Sequence, residues 1–192
     1  MKQVRVGVLA LQGDFEKHQQ MLARLDVIPV LVKTAEQLRK CQGLIIPGGE
    51  STTLSLLLRK HGLWDQVKDY AREHPVFGTC AGLILLAATI EGAPVESLGL
   101  IDIHARRNAY GRQVNSFVDT IKVDFGNGAF DYEGVFIRAP KVIAMGQGVR
   151  PLAWHGEDVV MAEQGLVLAA TFHPELTEDP RIHEYFVSKL TG

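Results

Sequence analysis

The sequence predicts an α/β fold built on one open, mostly parallel sheet with helices on both faces, with antiparallel strands added in the second half. Three observations carry this. Short apolar runs in the first half lack polar alternation, as in strands buried on both faces. Stretches with apolar residues at helical spacing separate them, so the strands are joined by crossover connections. Beyond about residue 98 the pattern changes to short strand-like segments, many parted by Gly, Asn or Pro. The 192 residues suit one domain, 1–192, because a single core stops growing only beyond roughly 250–300 residues.

Val4 to Leu11 is the first apolar run, punctuated by Gly13. Phe15, His18, Gln19, Leu22 and Leu25 then recur at helical spacing. Val27 to Val32 reads as a second strand, and Thr34 with Gln37 as a capping box opening a short helix toward Lys40. Gly43 to Ile46 is a third strand, ended by Pro47-Gly48-Gly49. Helical segments follow through Leu54, Leu57 and Leu58, and through Trp64, Val67 and Tyr70. Val76-Phe77 is a short fourth strand, and Ala81 to Thr89 an apolar helix. Strands are expected at 99–104, 113–124, 134–138, 141–145, 151–154, 158–162 and 166–172. A final helix at 180–190 carries Ile182, Tyr185, Phe186 and Leu190 on one face.

Composition narrows the function. Hydrophobic residues make up 46% and charged residues 22%, with a net charge of −2. Such a chain can bury a core, and it has no basic excess with which to grip nucleic acid. Only Cys41 and Cys80 occur, which excludes a disulfide-dense scaffold and argues against a thiolate-rich zinc site. No signal-peptide pattern stands at the N-terminus and no apolar run could cross a bilayer, so the expectation is a cytoplasmic protein without membrane contact.

In open α/β sheets, ligands bind outside the carboxyl ends of the strands. Three strand exits carry unusual residues. In Phe77-Gly78-Thr79-Cys80-Ala81-Gly82, a potential nucleophile stands between a strand and a helix, with glycines that permit a sharp turn. A thiolate at Cys80 would be favoured at the positive end of the helix, and the Ala81 amide would face an oxyanion beside the sulfur. The bland alternative is a small buried hydrophobe, which is the better reading for Cys41. In His173-Pro174-Glu175, extended backbone would put His173 and Glu175 on one side, so the carboxylate could fix the imidazole's tautomer. A solvated turn with an incidental pair is the alternative. The turn Gly48-Gly49 lacks both a Walker ending and dinucleotide-site spacing. It suits a second oxyanion donor as well as a plain tight turn.

His18, His61, His74, His104, His155 and His183 show no metal-ligand spacing, so packed or surface roles and no metal are expected. Arg106-Arg107-Asn108 and Ile137-Arg138 could grip a small anion, though by the residues alone ordinary surface salt bridges are the better reading.

Together these pieces resemble the triad class of glutamine amidotransferases, a flavodoxin-like fold. Within it they resemble the family of glutaminase subunits of pyridoxal 5′-phosphate synthase. The runs that carry the resemblance are Leu11-Gln12-Gly13, Pro47-Gly48-Gly49-Glu50-Ser51-Thr52-Thr53, Phe77 to Leu83, Arg107-Asn108 with Gly111-Arg112-Gln113, Gly134 to Pro140, and Phe172 to Thr177. Arg106 and Lys17 stand where the family tends to have acidic residues. The resemblance implies hydrolysis of L-glutamine to L-glutamate and ammonia, with Cys80 as nucleophile, His173 as general base and acid, and Glu175 as its orienter. It implies an oxyanion hole from the amides of Gly49 and Ala81. It implies a glutamine pocket lined by Gly49, Glu50, Ser51, Arg107, Ile137 and Arg138. Ammonia would pass to a separate (β/α)8-barrel synthase subunit, whose product is pyridoxal phosphate, and this chain would hold no cofactor. The flexible glycine pair suggests a turn that aligns only when the partner docks. Rival readings are a cysteine peptidase or redox protein on the same fold, and a non-catalytic amino-acid-binding module.

Overall fold

The computed structural model describes residues 3–92, 94–108 and 116–190. Gly111-Arg112-Gln113 and positions 113–115 of the strand expected at 113–124 lie outside the described residues. The first half alternates as expected: β1 (Arg5–Leu9), α1 (Phe15–Leu22), β2 (Ile28–Val32), α2 (Ala35–Leu38), β3 (Gly43–Ile46), α3 (Ser51–Lys60), α4 (Trp64–Tyr70), β4 (Val76–Thr79) and α5 (Ala81–Leu86). Strands follow: β5 (Ala87–Glu91), β6 (Ile101–Arg106), β7 (Ser116–Asp124), β8 (Ala129–Ile137), β9 (Lys141–Met145), β10 (Arg150–His155), β11 (Asp158–Gln164) and β12 (Val167–Ala170). A 3-10 turn (Pro174–Leu176) and α6 (Arg181–Ser188) end the described chain.

Among the described residues a nine-stranded sheet runs β2-β1-β3-β4-β12-β11-β10-β7-β8. The pairings from β2 through β12 are parallel, and those from β12 through β8 are antiparallel. A second sheet, β5-β6-β9, has three strands. β2 and β3 flank β1 on opposite sides, so the strand order reverses there and opens a crevice at the carboxyl ends. The exits of β1, β3, β4 and β12 all face that side.

The apolar runs are continuous because both sheet faces are covered. In β3, Leu44 and Ile46 pack with Leu54, Leu58, Trp64 and Val67 of α3 and α4. Ile45, between them, packs with Leu22 of α1 and with Ile182 and Phe186 of α6. Burying each such side chain contributes about 1.5–3 kcal/mol. The capping box forms as expected, with the Thr34 side chain accepting from the Gln37 N–H.

The helix expected over Ala81 to Thr89 stops at Leu86, and Ala87–Glu91 becomes a strand. Pairing with β6, including Thr89 with His104 and Ile90 with Ala105, offers the β-branched residues a better partner than another helical turn. No helix among the described residues is long and apolar enough to cross a membrane.

Candidate active site

The exit of β3 is the first wall. Glu50 caps α3, accepting from Thr52 N–H at 3.1 Å and from the Thr53 N–H and hydroxyl at 2.7 Å each. Arg107, just past β6, donates to Glu50 Oε1 at 2.5 Å and to Thr52 Oγ1 at 3.2 Å. Burial opposes ionisation of Glu50, but these donors and the guanidinium hold its carboxyl down at about 2. The exit of β1 braces the same turn. Gln12 Oε1 accepts from Glu50 N–H at 2.9 Å, and Gly48 C=O accepts from Asp14 N–H at 3.2 Å.

The exit of β4 is the second wall. Cys80 sits at φ 49°, ψ −104°, immediately before α5, and its N–H donates to Ala170 C=O on β12 at 2.8 Å. This tight turn brings α5 down onto β3. A Cβ on Gly82 would lie 2.1 Å from the Ile46 carbonyl oxygen, so only glycine permits the approach. Ala81 is the first residue of α5, where a backbone N–H has no intrahelical partner.

The exit of β12 is the third wall. The His173 N–H donates to Val135 C=O on β8 at 2.8 Å, and its Nδ1 lies 2.7 Å from Glu175 Oε1. The two residues meet through the 3-10 turn that starts at Pro174. The extended geometry expected for this tripeptide is not what joins them. Among the described residues the Nε2 of His173 has no partner within hydrogen-bonding geometry, and the imidazole stands beside Cys80. A Cβ on Gly48 would fall 2.4 Å from His173 Cε1 and 3.4 Å from Cys80 Cβ. Burial disfavours charging His173, but the Cys80 sulfur and the Glu175 carboxylate outweigh it and raise its pKa to about 10. Burial pushes the Glu175 carboxyl up, and the His173 contact opposes that rise.

These walls enclose a cavity of about 140 Å³, close to the roughly 150 Å³ of an engineered cavity that admits benzene. Cys80, His173, Gly49, Glu50, Ser51, Ala81, Arg107, Ile137 and Arg138 all line it. Glu175 does not, being buried behind His173. Among the described residues the buried Ser51 hydroxyl has no hydrogen-bond partner, which leaves it to meet a ligand. Arg107 is spent on Glu50, while Arg106 pairs with Glu91 away from the cavity. Asp14, Ile84 and Asn108 also line it. Asp14 and Ile84 gave no signal in the sequence, because nothing local says that the exit of β1 faces Cys80 or that this residue of α5 turns toward the cavity.

Three non-glycine residues among those described adopt positive φ: Cys80 at 49°, Asn108 at 52° and Arg138 at 43°. All three line this cavity. Backbone strain of about 1–3 kcal/mol per residue persists where function demands it. Asp14, His173 and Glu175 present ligand atoms within 4.8 Å of one another. With His173 and Glu175 already hydrogen-bonded, the group reads as an oriented imidazole with an acidic neighbour.

Residues 8–191 match the SNO glutamine amidotransferase family. The chain belongs to that family. Relatives called pyridoxal 5′-phosphate synthase subunit PdxT, from Oenococcus oeni and Solibacter usitatus, are 49% and 50% identical to it. The alignments cover 98% and 97% of this chain and 97% and 99% of the relatives. A solved glutamine amidotransferase superposes with a TM-score of 0.91 at 47% identity, over 97% of this chain and 99% of that one. PurLQS from Thermotoga maritima shares the fold at a TM-score of 0.73 and 14% identity, over 99% of this chain and 100% of that chain. The SNO amidotransferase fold is thus the mixed α/β sheet expected from the sequence.

Proposed function

We propose that this chain is the glutaminase subunit of pyridoxal 5′-phosphate synthase, with residues 1–192 acting as one amidotransferase domain. It hydrolyses L-glutamine to L-glutamate and ammonia. The observation that carries the reading is the strained Cys80 turn beside an imidazole that Glu175 holds from the other side. The relatives' names supply the pathway.

In this mechanism the Cys80 thiolate attacks the side-chain amide carbon of glutamine. Charge moves to the carbonyl oxygen, which the Gly49 and Ala81 N–H groups stabilise. Loss of one such donor typically costs roughly 3–4 kcal/mol of barrier. Protonated His173 gives its proton to the departing ammonia, leaving a thioester. His173, now neutral, activates the water that releases glutamate. Glu175 keeps the Nδ1 proton in place, so that Nε2 does this work. Gly49, Glu50, Ser51, Arg107, Ile137 and Arg138 line the glutamine pocket, with the free Ser51 hydroxyl as a polar contact.

Ammonia released into bulk water would protonate and lose its nucleophilicity. Direct transfer to a (β/α)8-barrel synthase subunit avoids this, and the chain itself carries no cofactor. The reading places the enzyme in the cytoplasm, in keeping with its two free thiols. The test is glutamate release with and without the synthase subunit. Turnover should rise on adding the partner and vanish in Cys80→Ala. Full activity of the single chain, unchanged by the partner, would refute the coupling. Turnover surviving in Cys80→Ala would refute the chemistry.

A further inference from the structure

We infer that His18 is a positioning residue that holds the Glu175 carboxylate from behind, within a buried chain running His183–His18–Glu175–His173 toward Cys80. The inference rests on the glutaminase reading and adds a residue to it. His18 on α1, Thr79 on β4 and His183 on α6 are fully buried. His18 Nε2 lies 3.3 Å from Glu175 Oε2 and 3.2 Å from Thr79 Oγ1. Its Nδ1 lies 2.9 Å from His183 Nε2. Three elements distant in sequence thus meet at His18, which stands beside the carboxylate oxygen that His173 leaves unused.

Proton placement follows from which atoms lack partners. Burial, with the imidazoles of His183 and His173, lowers the pKa of His18 well below its usual value, and burial lowers His183 to about 3. Both rings are neutral at pH 7, each with one N–H. Among the described residues Glu175 Oε2 has no hydrogen-bond partner of conventional geometry, and neither has His183 Nδ1. If His18 carried its proton on Nδ1, the Nε2 lone pair could accept from the Thr79 hydroxyl but would also stand 3.3 Å from a carboxylate oxygen. The His183 proton would then sit on Nδ1, buried with no acceptor. With the proton on His18 Nε2, that N–H lies between Thr79 Oγ1, to which it donates at 3.2 Å, and Glu175 Oε2 at 3.3 Å, so its positive end stands beside the carboxylate. His183 Nε2–H then donates to His18 Nδ1, leaving only an acceptor unmet. His18 would therefore keep Glu175 ionised and aimed at His173 Nδ1.

The other titratable groups around Glu175 are His173 and, at longer range, Asp14 at the start of α1 and Tyr132 on β8. Neither Asp14 nor Tyr132 offers Oε2 a hydrogen-bonding donor. A donor to the carboxylate favours its charged form. Removing it should move the acid limb of the glutaminase pH profile upward.

The test compares His18→Gln, whose amide nitrogen can stand near Nε2, with His18→Asn, which reaches only the Nδ1 side. Both are assayed with the synthase subunit present. His18→Asn should lower kcat roughly tenfold or more, with KM for glutamine within about twofold. That is well short of the loss of about 10⁴-fold when the acid of a triad is itself replaced. Its acid limb should shift to higher pH, while His18→Gln recovers most of both. Nitrogen-15 spectra of the wild type should find the His18 proton on Nε2. Equal kcat and superimposable pH profiles for the two variants would overturn the role, as would a proton on Nδ1. Cys80→Ala in parallel separates the readings: turnover that survives it overturns the glutaminase reading. Abolished turnover in Cys80→Ala alongside matching His18 variants overturns the His18 role alone.

Discussion

Cys80 is the residue at which sequence, strain and chemistry meet. Its φ of 49° is costly for any side chain with a Cβ, by about 1–3 kcal/mol. Glycine escapes this cost but gives back roughly 0.5–1 kcal/mol in chain entropy relative to alanine. Cys80→Gly should therefore unfold at higher denaturant concentration than Cys80→Ala, by about 1 kcal/mol, with neither variant releasing glutamate. Equal midpoints would mean the turn relaxes once the thiol is gone. Gly48 fixes the neighbouring imidazole by having no side chain. In Gly48→Ala the new methyl would stand 2.4 Å from His173 Cε1, so the ring must move. A misplacement of about 1 Å can cost 10²-fold in rate, and a loss of that order in kcat is expected in steady-state assays. The glycines around Cys80 made this turn legible in the sequence. The matching strain at Asn108 and Arg138 was not, since no flanking residue demands it.

At the scale of elements, local chemistry was readable where it decides the outcome and misleading where distant pairing decides. The Thr34–Gln37 capping box and the strand Gly43–Ile46 form as the sequence suggests. The end of α5 does not, because β6, far along the chain, captures Ala87–Glu91. The His173–Glu175 contact was foreseen and its backbone was not, for Pro174 opens a 3-10 turn where extended chain was expected. For His18 and His183 the sequence suggests only packed or surface roles. They are 165 positions apart, and only the seating of α1 and α6 on one sheet face brings them together. The seating of α5 yields its own prediction. A Gly82→Ala methyl would meet backbone at Ile46, which cannot rotate away as a side chain could. The helix must lift from the sheet, costing about 1–3 kcal/mol as overpacking does, measurable as a lower denaturant midpoint. Because Cys80 immediately precedes this helix, glutaminase activity should fall as well.

At the scale of the whole molecule, folding holds imidazoles neutral that the unfolded chain would protonate. His183 has a folded pKa of about 3, lowered by burial, against an unfolded value of about 6.5. A depressed histidine pKa stabilises the fold above the unfolded value. That stability is lost as pH falls from about 6.5 toward 3, because the unfolded state takes up a proton that the folded state refuses. The slope approaches about 1.4 kcal/mol per pH unit for one such group. Glu175 acts in the opposite direction, since burial raises its pKa in the folded state. It remains in any variant made at His183, so the difference between two proteins reports His183 together with the part of the His18 depression that His183 causes, both of the same sign. His183→Leu keeps an apolar side chain between α6 and the sheet and removes the titration. Between pH 6 and 4.5, wild-type unfolding free energy should fall more steeply than that of His183→Leu, by about 1.4 kcal/mol per unit. Denaturant titrations at several pH values give both slopes. Parallel slopes would mean that His183 accepts its proton inside the folded molecule, which its complete burial between α6 and β4 argues against.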